Sequence, residues 1–133
     1  MTDKELLDLL ESRMTLWRKV LGIDPKWNVN ITIVDHPNND PTMDAGVRMD
    51  HVYFNASIEF SRIGDDDRIE EGILHETLHI ALAPLRQALD YLIQMIPESQ
   101  REFAETVADN GMEQSIQGMC RGTLISELIE EKK

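Results

Sequence analysis

The sequence predicts an α+β fold in which a small, twisted, mostly antiparallel sheet packs against several helices. Three observations predict it: an amphipathic segment at the N-terminus, a group of short strand-like segments between residues 27 and 58, and helical periodicity after residue 67. A length of 133 residues suits one ordinary domain. We therefore expect a single domain over residues 1–133.

The N-terminal half alternates between clear elements and clear breaks. Apolar residues at helical spacing predict a first helix that begins at Thr2 or Asp3 and stops at Gly22. Trp27 to Val34 alternates between apolar and polar residues and predicts a first strand. Turn-forming residues over 36–41 predict a surface loop. Residues 45–49 and 51–58 predict two further strands with their turn near residue 50.

The C-terminal half has helical periodicity. Asp67 and Glu70 have capping-box spacing and predict a helix that continues to about residue 83, although the acidic run at 65–67 could instead bind calcium. A third helix, or a kinked continuation of the second, should end at Pro97. Ser99 and Glu102 predict a cap for a further helix that ends between residues 111 and 118, before a last amphipathic segment from residue 124.

The charge of the chain excludes some partners. Thirteen basic and 25 acidic residues give a net charge of -12, which repels nucleic acids and anionic membrane surfaces. The single cysteine, Cys120, cannot form an internal disulfide, and no signal peptide or membrane-spanning run is recognisable. We expect a soluble cytoplasmic protein with no nucleic-acid or membrane partner.

The chemistry of the chain is concentrated in the segment His75-Glu76-Thr77-Leu78-His79. Two imidazoles four residues apart on a helix face the same side, so both can bind one metal ion, and Glu76 is placed to act as a general base on a metal-bound water. The alternative interpretation is a pair of surface histidines beside a solvated glutamate. We expect zinc, although imidazole and carboxylate ligands accept several divalent ions.

A catalytic zinc site needs a third protein ligand, and no histidine follows His79. Glu102 already has a predicted capping role, and Asp90 lies on a helix that is predicted to serve packing. Glu105 is therefore the predicted third ligand, and Asp109, four residues on, is predicted to accept the free ring N–H of a ligating histidine. The alternative is that both are ordinary solvated helix carboxylates.

Residues 52–111 resemble the gluzincin class of zinc metallopeptidases, especially its minimal single-domain members from phages and mobile elements. The histidine-glutamate motif is the specific part, and Glu105 to Asp109 is similar to the class's glutamate-x-x-x-aspartate helix. Asn55-Ala56 resembles the asparagine-alanine pair of the edge strand that holds the substrate backbone. The resemblance implies a zincin-like core with a small sheet, an active-site helix and a glutamate helix.

The class also uses a downstream histidine or tyrosine to stabilise the oxyanion, and the chain has no clear counterpart. His51, Tyr53 and Tyr91 are the possible replacements. The predicted function is zinc-dependent hydrolysis of a peptide or protein substrate. The alternative is a zinc-stabilised, non-catalytic module that binds a peptide or protein, and a DNA-associated protease is disfavoured by the net charge of -12.

Overall fold

The structure is a computed structural model that describes residues 2–23, 26–62 and 69–131, the last eight of these by their backbone alone. Within these ranges the fold is α+β, with a three-stranded sheet and four α-helices. The chain divides into two compact units, Met1–Ala81 and Leu82–Lys133. No helix in the described ranges is long and apolar enough to cross a membrane.

Helix α1, Asp3–Val20, confirms the predicted N-terminal helix. The hydroxyl of Thr2 accepts a hydrogen bond from the backbone N–H of Glu5, which satisfies one of the free amides at the start of the helix. Leu10, Met14 and Trp17 lie on one face and are buried. The helix ends where Gly22 adopts a positive φ of 70°, a conformation that glycine reaches without steric cost.

The sheet contains β1 (Asn28–Val34), β2 (Ala45–Asp50) and β3 (Asn55–Ser61) in the order β1-β3-β2. Strand β2 is antiparallel to β3, but β1 is parallel to β3. The expectation of a mostly antiparallel sheet was wrong, because the β2–β3 hairpin turns β3 back against β1 in the same direction. The sheet is mixed, and its central strand β3 has Ala56, Ile58 and Phe60 in the core.

The turn between β2 and β3 is longer than the sequence indicated. Residues 51–54 form this turn, so the prediction that a strand begins at His51 was wrong. The carboxylate of Asp50 accepts hydrogen bonds from the backbone N–H groups of Val52 and Tyr53 and so closes an Asx turn. Phe54 then has a φ of 53°, and β3 begins at the next residue.

The predicted loop between β1 and β2 contains a short 3-10 turn, Pro37–Asn39. Asn38 has a φ of 53°, and its backbone N–H donates to the carboxylate of Glu59 at 2.9 Å. A Cβ atom added to Gly46 would lie 2.8 Å from the Asn38 Cγ, so any side chain at position 46 would require the Asn38 side chain to move. The loop therefore packs tightly against β2.

Helix α2, Ile69–Ala81, completes the first unit and contains the histidine-glutamate motif. The predicted cap at Asp67 and the acidic run before it lie outside the described residues. Ile73, Leu74 and Ile80 are buried, so the helix packs with its apolar face in the core. The position of the motif on a helix after the sheet is as predicted.

The second unit contains α3 (Ala83–Gln94) and α4 (Glu98–Glu131). The predicted capping box at Ser99 was wrong, because α4 begins at Glu98 and Ser99 already lies in its first turn. The predicted break between residues 111 and 118 was also wrong. Burial of Met112, Ile116 and Cys120 at four-residue spacing outweighs the cost of about 1 kcal/mol for each helical glycine, so the helix continues without a break.

Candidate metal centre

His75 and His79 lie one turn apart on α2, as their spacing predicts. Their ring centroids are 5.0 Å apart and the ring planes meet at 61°. Each ring offers a nitrogen that lies within 4.8 Å of a nitrogen of the other. Both residues are partly buried, so the pair is neither sealed in the core nor freely solvated.

This spacing agrees with the geometry of two imidazoles on one zinc ion. Zinc binds imidazole nitrogen at about 2.0–2.1 Å with tetrahedral angles, which puts each ring centroid about 3 Å from the ion and the two centroids about 5 Å apart. The observed separation of 5.0 Å matches this value. The donor types, two imidazoles with carboxylates elsewhere in the chain, also suit zinc.

Glu76 follows the first histidine and is only 6% exposed. Glutamate is among the residue types least often buried, so its position on the inner side of α2 calls for a specific role. The neighbouring Thr77 is fully buried, and its hydroxyl donates to the carbonyl of Ile73 at 2.6 Å. The predicted role of Glu76 as a general base stays a prediction.

The start of α2 is held by a network that the sequence analysis missed. Glu70 accepts a hydrogen bond from the indole N–H of Trp17 at 2.8 Å. It also accepts from Arg13, whose Nε lies 3.0 Å from both carboxylate oxygens and whose Nη2 lies 2.6 Å from one of them. Partial burial alone would raise the pKa of Glu70, but the hydrogen bonds from Arg13 and Trp17 and the charge of Arg13 outweigh it and lower that pKa. The network joins α1 to α2 five residues before His75.

In the second unit, α4 contains the two carboxylates of the predicted glutamate helix. Glu105 is exposed. Asp109 is bonded to Arg86 of α3, which also pairs with Asp90 at 3.1 Å. Partial burial alone would lower the pKa of Arg86, but the hydrogen bond with Asp109 and the charges of Asp90 and Asp109 outweigh it and raise that pKa.

These contacts bear on the predicted roles of α4. The carboxylate of Asp109 pairs with Arg86. Its predicted hydrogen bond with a ligating histidine stays a prediction. The prediction that Glu105 is the third zinc ligand also stays a prediction. Glu113 lies four residues beyond Asp109 on α4 and was not among the candidates that the sequence analysis considered.

The predicted edge-strand placement of Asn55-Ala56 was wrong. β3 is the central strand, with Asn55 opposite Asn28 on one side and Asp50 on the other, so its backbone is paired on both sides. A substrate cannot add to it as a further strand, and Ala56 is fully buried. The edges of the sheet are β1 and β2.

The other predicted contact residues lie on accessible surfaces of their units. His51 packs edge-on against Trp27, with ring centroids 6.0 Å apart. Tyr53 at the tip of the β2–β3 turn is 74% exposed, and Tyr91 on α3 is also exposed. Both phenol groups are open to solvent, and their predicted roles at the oxyanion stay predictions.

Comparison with protein-family models, with curated proteins and with solved structures gave no match for this chain. The resemblance to gluzincins therefore rests on the motif residues.

Proposed function

We propose that this chain is a zinc-dependent metallopeptidase. The observation that supports the proposal most strongly is the pair of imidazoles one turn apart on α2, with ring centroids 5.0 Å apart, next to the buried Glu76. Two histidines and a glutamate at this spacing are the minimum set for metal-assisted hydrolysis at one ion. His75 and His79 are the proposed zinc ligands on α2, and zinc requires a third protein ligand besides them.

The protein's own residues have distinct parts in the proposed reaction. Zinc bound here would supply Lewis acidity that lowers the pKa of a water molecule to about 7 and polarises the scissile carbonyl. Glu76 would accept a proton from that water and would return it to the leaving amine. Burial of Glu76 excludes bulk water from its carboxylate, which favours proton transfer within the site.

The third ligand is proposed to be Glu105, with Glu113 as the alternative. Both are glutamates of α4, eight positions apart. Asp109 lies midway between them, and the four-residue spacing puts all three on the same side of the helix. Asp109 is the weakest of the three as a ligand because its carboxylate is bonded to Arg86. Replacing each glutamate in turn by alanine distinguishes them, since only loss of the true ligand weakens zinc binding strongly.

The decisive experiment compares wild-type protein with Glu76→Gln and with the matched control Glu71→Gln. Each protein is stripped with a chelator, reloaded with one equivalent of zinc and incubated with an unfolded protein substrate, whose cleavage products are identified by mass spectrometry. We expect cleavage by wild type and Glu71→Gln, and zinc binding without cleavage by Glu76→Gln.

Equal cleavage by Glu76→Gln would overturn the mechanism. A wild-type protein that binds zinc and an unfolded peptide but produces no new termini would instead support the non-catalytic binding module.

A further inference from the structure

The two edge strands of the sheet differ in how far they are protected against pairing with another chain. β2 contains the charged residues Arg48 and Asp50, and Arg48 donates to the side chain of Asn38 in the adjoining loop at 3.2 Å. Charged side chains and covering loops are the usual means by which proteins keep an edge strand from pairing. The β2 edge of the sheet is therefore protected.

The other edge strand, β1, has neither of these features. Its seven residues, Asn28–Val34, include no charged residue, no proline and no glycine, in a chain in which 29% of the residues are charged. Its apolar residues are all valine or isoleucine, which favour strands. A segment of this length and composition pairs readily with another strand.

The backbone of β1 offers hydrogen-bonding groups on its outer side. The N–H of Asn28 donates to the carbonyl of Phe54 at 2.8 Å, so the backbone groups of Asn28 point towards β3. Successive residues of a strand point in opposite directions, so the backbone groups of Val29, Ile31 and Ile33 point away from β3. Among the described residues no strand pairs with β1 on that side. These groups form a row with which a further strand can pair.

A cavity of about 250 Å³ lies beside this edge. Val29, Asn30 and Ile31 form one wall, and one side of α1 forms the other, with Glu11, Met14 and Arg18. Side chains of neighbouring strand residues point to opposite faces, so a cavity lined by three consecutive residues borders the backbone of the strand. Helix α1 therefore leaves open space next to the outer side of β1.

We propose that β1 binds an extended peptide segment of another protein, which joins the three-stranded sheet as a further strand. A row of backbone N–H and C=O groups is matched by the backbone of another strand, while pockets beside the row receive alternate side chains. Those of the added segment that point to the same face as Val29 and Ile31 enter the cavity beside α1.

The charge of the chain decides between a different protein and a second copy. Two chains of net charge -12 repel each other, which disfavours pairing of β1 with the β1 of a second copy. The same field attracts a basic segment, and the carboxylate of Glu11 in the cavity wall can pair with a basic side chain of that segment. The occupant is therefore a strand-forming segment with basic residues.

This site is separate from the candidate metal centre. Helix α2, which contains His75 and His79, packs against β2, whereas α1 packs against β1 at the other edge of the sheet. Neither α1 nor β1 contains a proposed zinc ligand. The proposal therefore does not depend on zinc or on peptide cleavage.

A peptide of alternating valine and threonine with a lysine at each end tests the proposal on the full chain. Nuclear magnetic resonance of the isotope-labelled protein follows the titration, with and without zinc. We expect the largest changes at the amide signals of Val29, Ile31 and Ile33, and slower hydrogen exchange of the same amides. The control is the same peptide with proline in place of its central valine, which cannot pair and should not bind.

A variant of β1 tests the backbone contact. Val29→Pro removes an N–H that points away from β3, so the bonds within the sheet stay intact, and proline is tolerated at such edge positions. Binding of the peptide should weaken at least about tenfold, because one hydrogen bond is lost and the proline ring obstructs the added strand. Val29→Ala keeps the N–H and should bind like wild type. Circular dichroism checks that both variants are folded.

Four results would overturn the proposal. They are the absence of binding at millimolar peptide, signal changes confined to residues outside β1 and α1, equal binding of the proline-containing peptide, and undiminished binding to folded Val29→Pro. A dimer of the chain that pairs through β1 would also overturn it, and sedimentation equilibrium detects such a dimer. The signal changes in wild type decide the question even where Val29→Pro does not fold.

Discussion

Removing the carboxylate of Glu70 should destabilise the first unit more than its partly exposed position suggests. In Glu70→Ala the indole N–H of Trp17 loses its acceptor, and Trp17 is only 2% exposed in the intact protein. A buried donor left unsatisfied costs about 1–3 kcal/mol. About a third of the Arg13 side chain is exposed, so water can hydrate its guanidinium once Glu70 is removed. Loss of the Arg13–Glu70 ion pair therefore adds no more than about 1 kcal/mol to the destabilisation.

The expected loss of unfolding free energy in Glu70→Ala is therefore about 3 kcal/mol, a large fraction of the 5–15 kcal/mol that stabilises a typical domain. It corresponds to a fall in melting temperature of roughly 10 °C. Glu70→Gln keeps an acceptor oxygen for Trp17 and should cost only about 1 kcal/mol. Urea unfolding followed by tryptophan fluorescence measures both values. Glu71→Ala, the neighbouring glutamate of α2, is the matched control. A Glu70→Ala protein as stable as Glu71→Ala would refute the reasoning.

The same network gives the chain a defined response to acid. The pKa of Glu70 is lowered from its ordinary value of 4.5, so its contribution to stability is complete above pH 4.5 and is lost as the pH falls through the folded-state pKa. Stability measured between pH 7 and pH 3 should therefore fall less steeply at the acid end in Glu70→Gln than in wild type. Parallel curves would contradict the proposed role of the carboxylate.

Three further predictions concern the loop, the ligands and the metal. Gly46→Ala should destabilise the protein by about 1–3 kcal/mol because the new Cβ would overlap the Asn38 side chain. Adding Asn38→Gly removes that side chain and suits the positive φ at position 38, so the double variant should recover most of the lost stability in urea unfolding. Glu105→Ala should weaken zinc binding at least about tenfold in competition with a chromogenic chelator, whereas the same result for Glu113→Ala alone would reassign the third ligand. Zinc at a free concentration one hundred times its dissociation constant should add about 2.7 kcal/mol to the unfolding free energy, and an unchanged melting curve would contradict a site formed only in the folded chain.

The elements that the sequence predicted well depend on neighbouring residues alone. The hydroxyl cap of Thr2 and the alternation over β1 are local signals, and the structure confirms both elements. The position of His75 and His79 on one helix is also local, because four-residue spacing is the period of the helix.

The features that the sequence did not predict depend on contacts between distant residues. Strand order in the sheet is decided by pairing between β1 and β3, 27 residues apart, which no local pattern encodes. The glycines of α4 are local stop signals, but burial of Ile116 and its neighbours overrides them. The bond between Arg86 and Asp109 likewise joins residues of two helices, so a spacing argument could identify Asp109 but not its partner.

The most direct test of the zinc site is the metal content of tag-free protein after dialysis against metal-free buffer. The measurement compares wild type with the double variant His75→Ala/His79→Ala and with His36→Ala, a control that removes a histidine outside α2. We predict one zinc per chain in wild type and in His36→Ala, and none in the folded double variant. A folded wild type without zinc, or a double variant that retains it, would contradict the proposed centre.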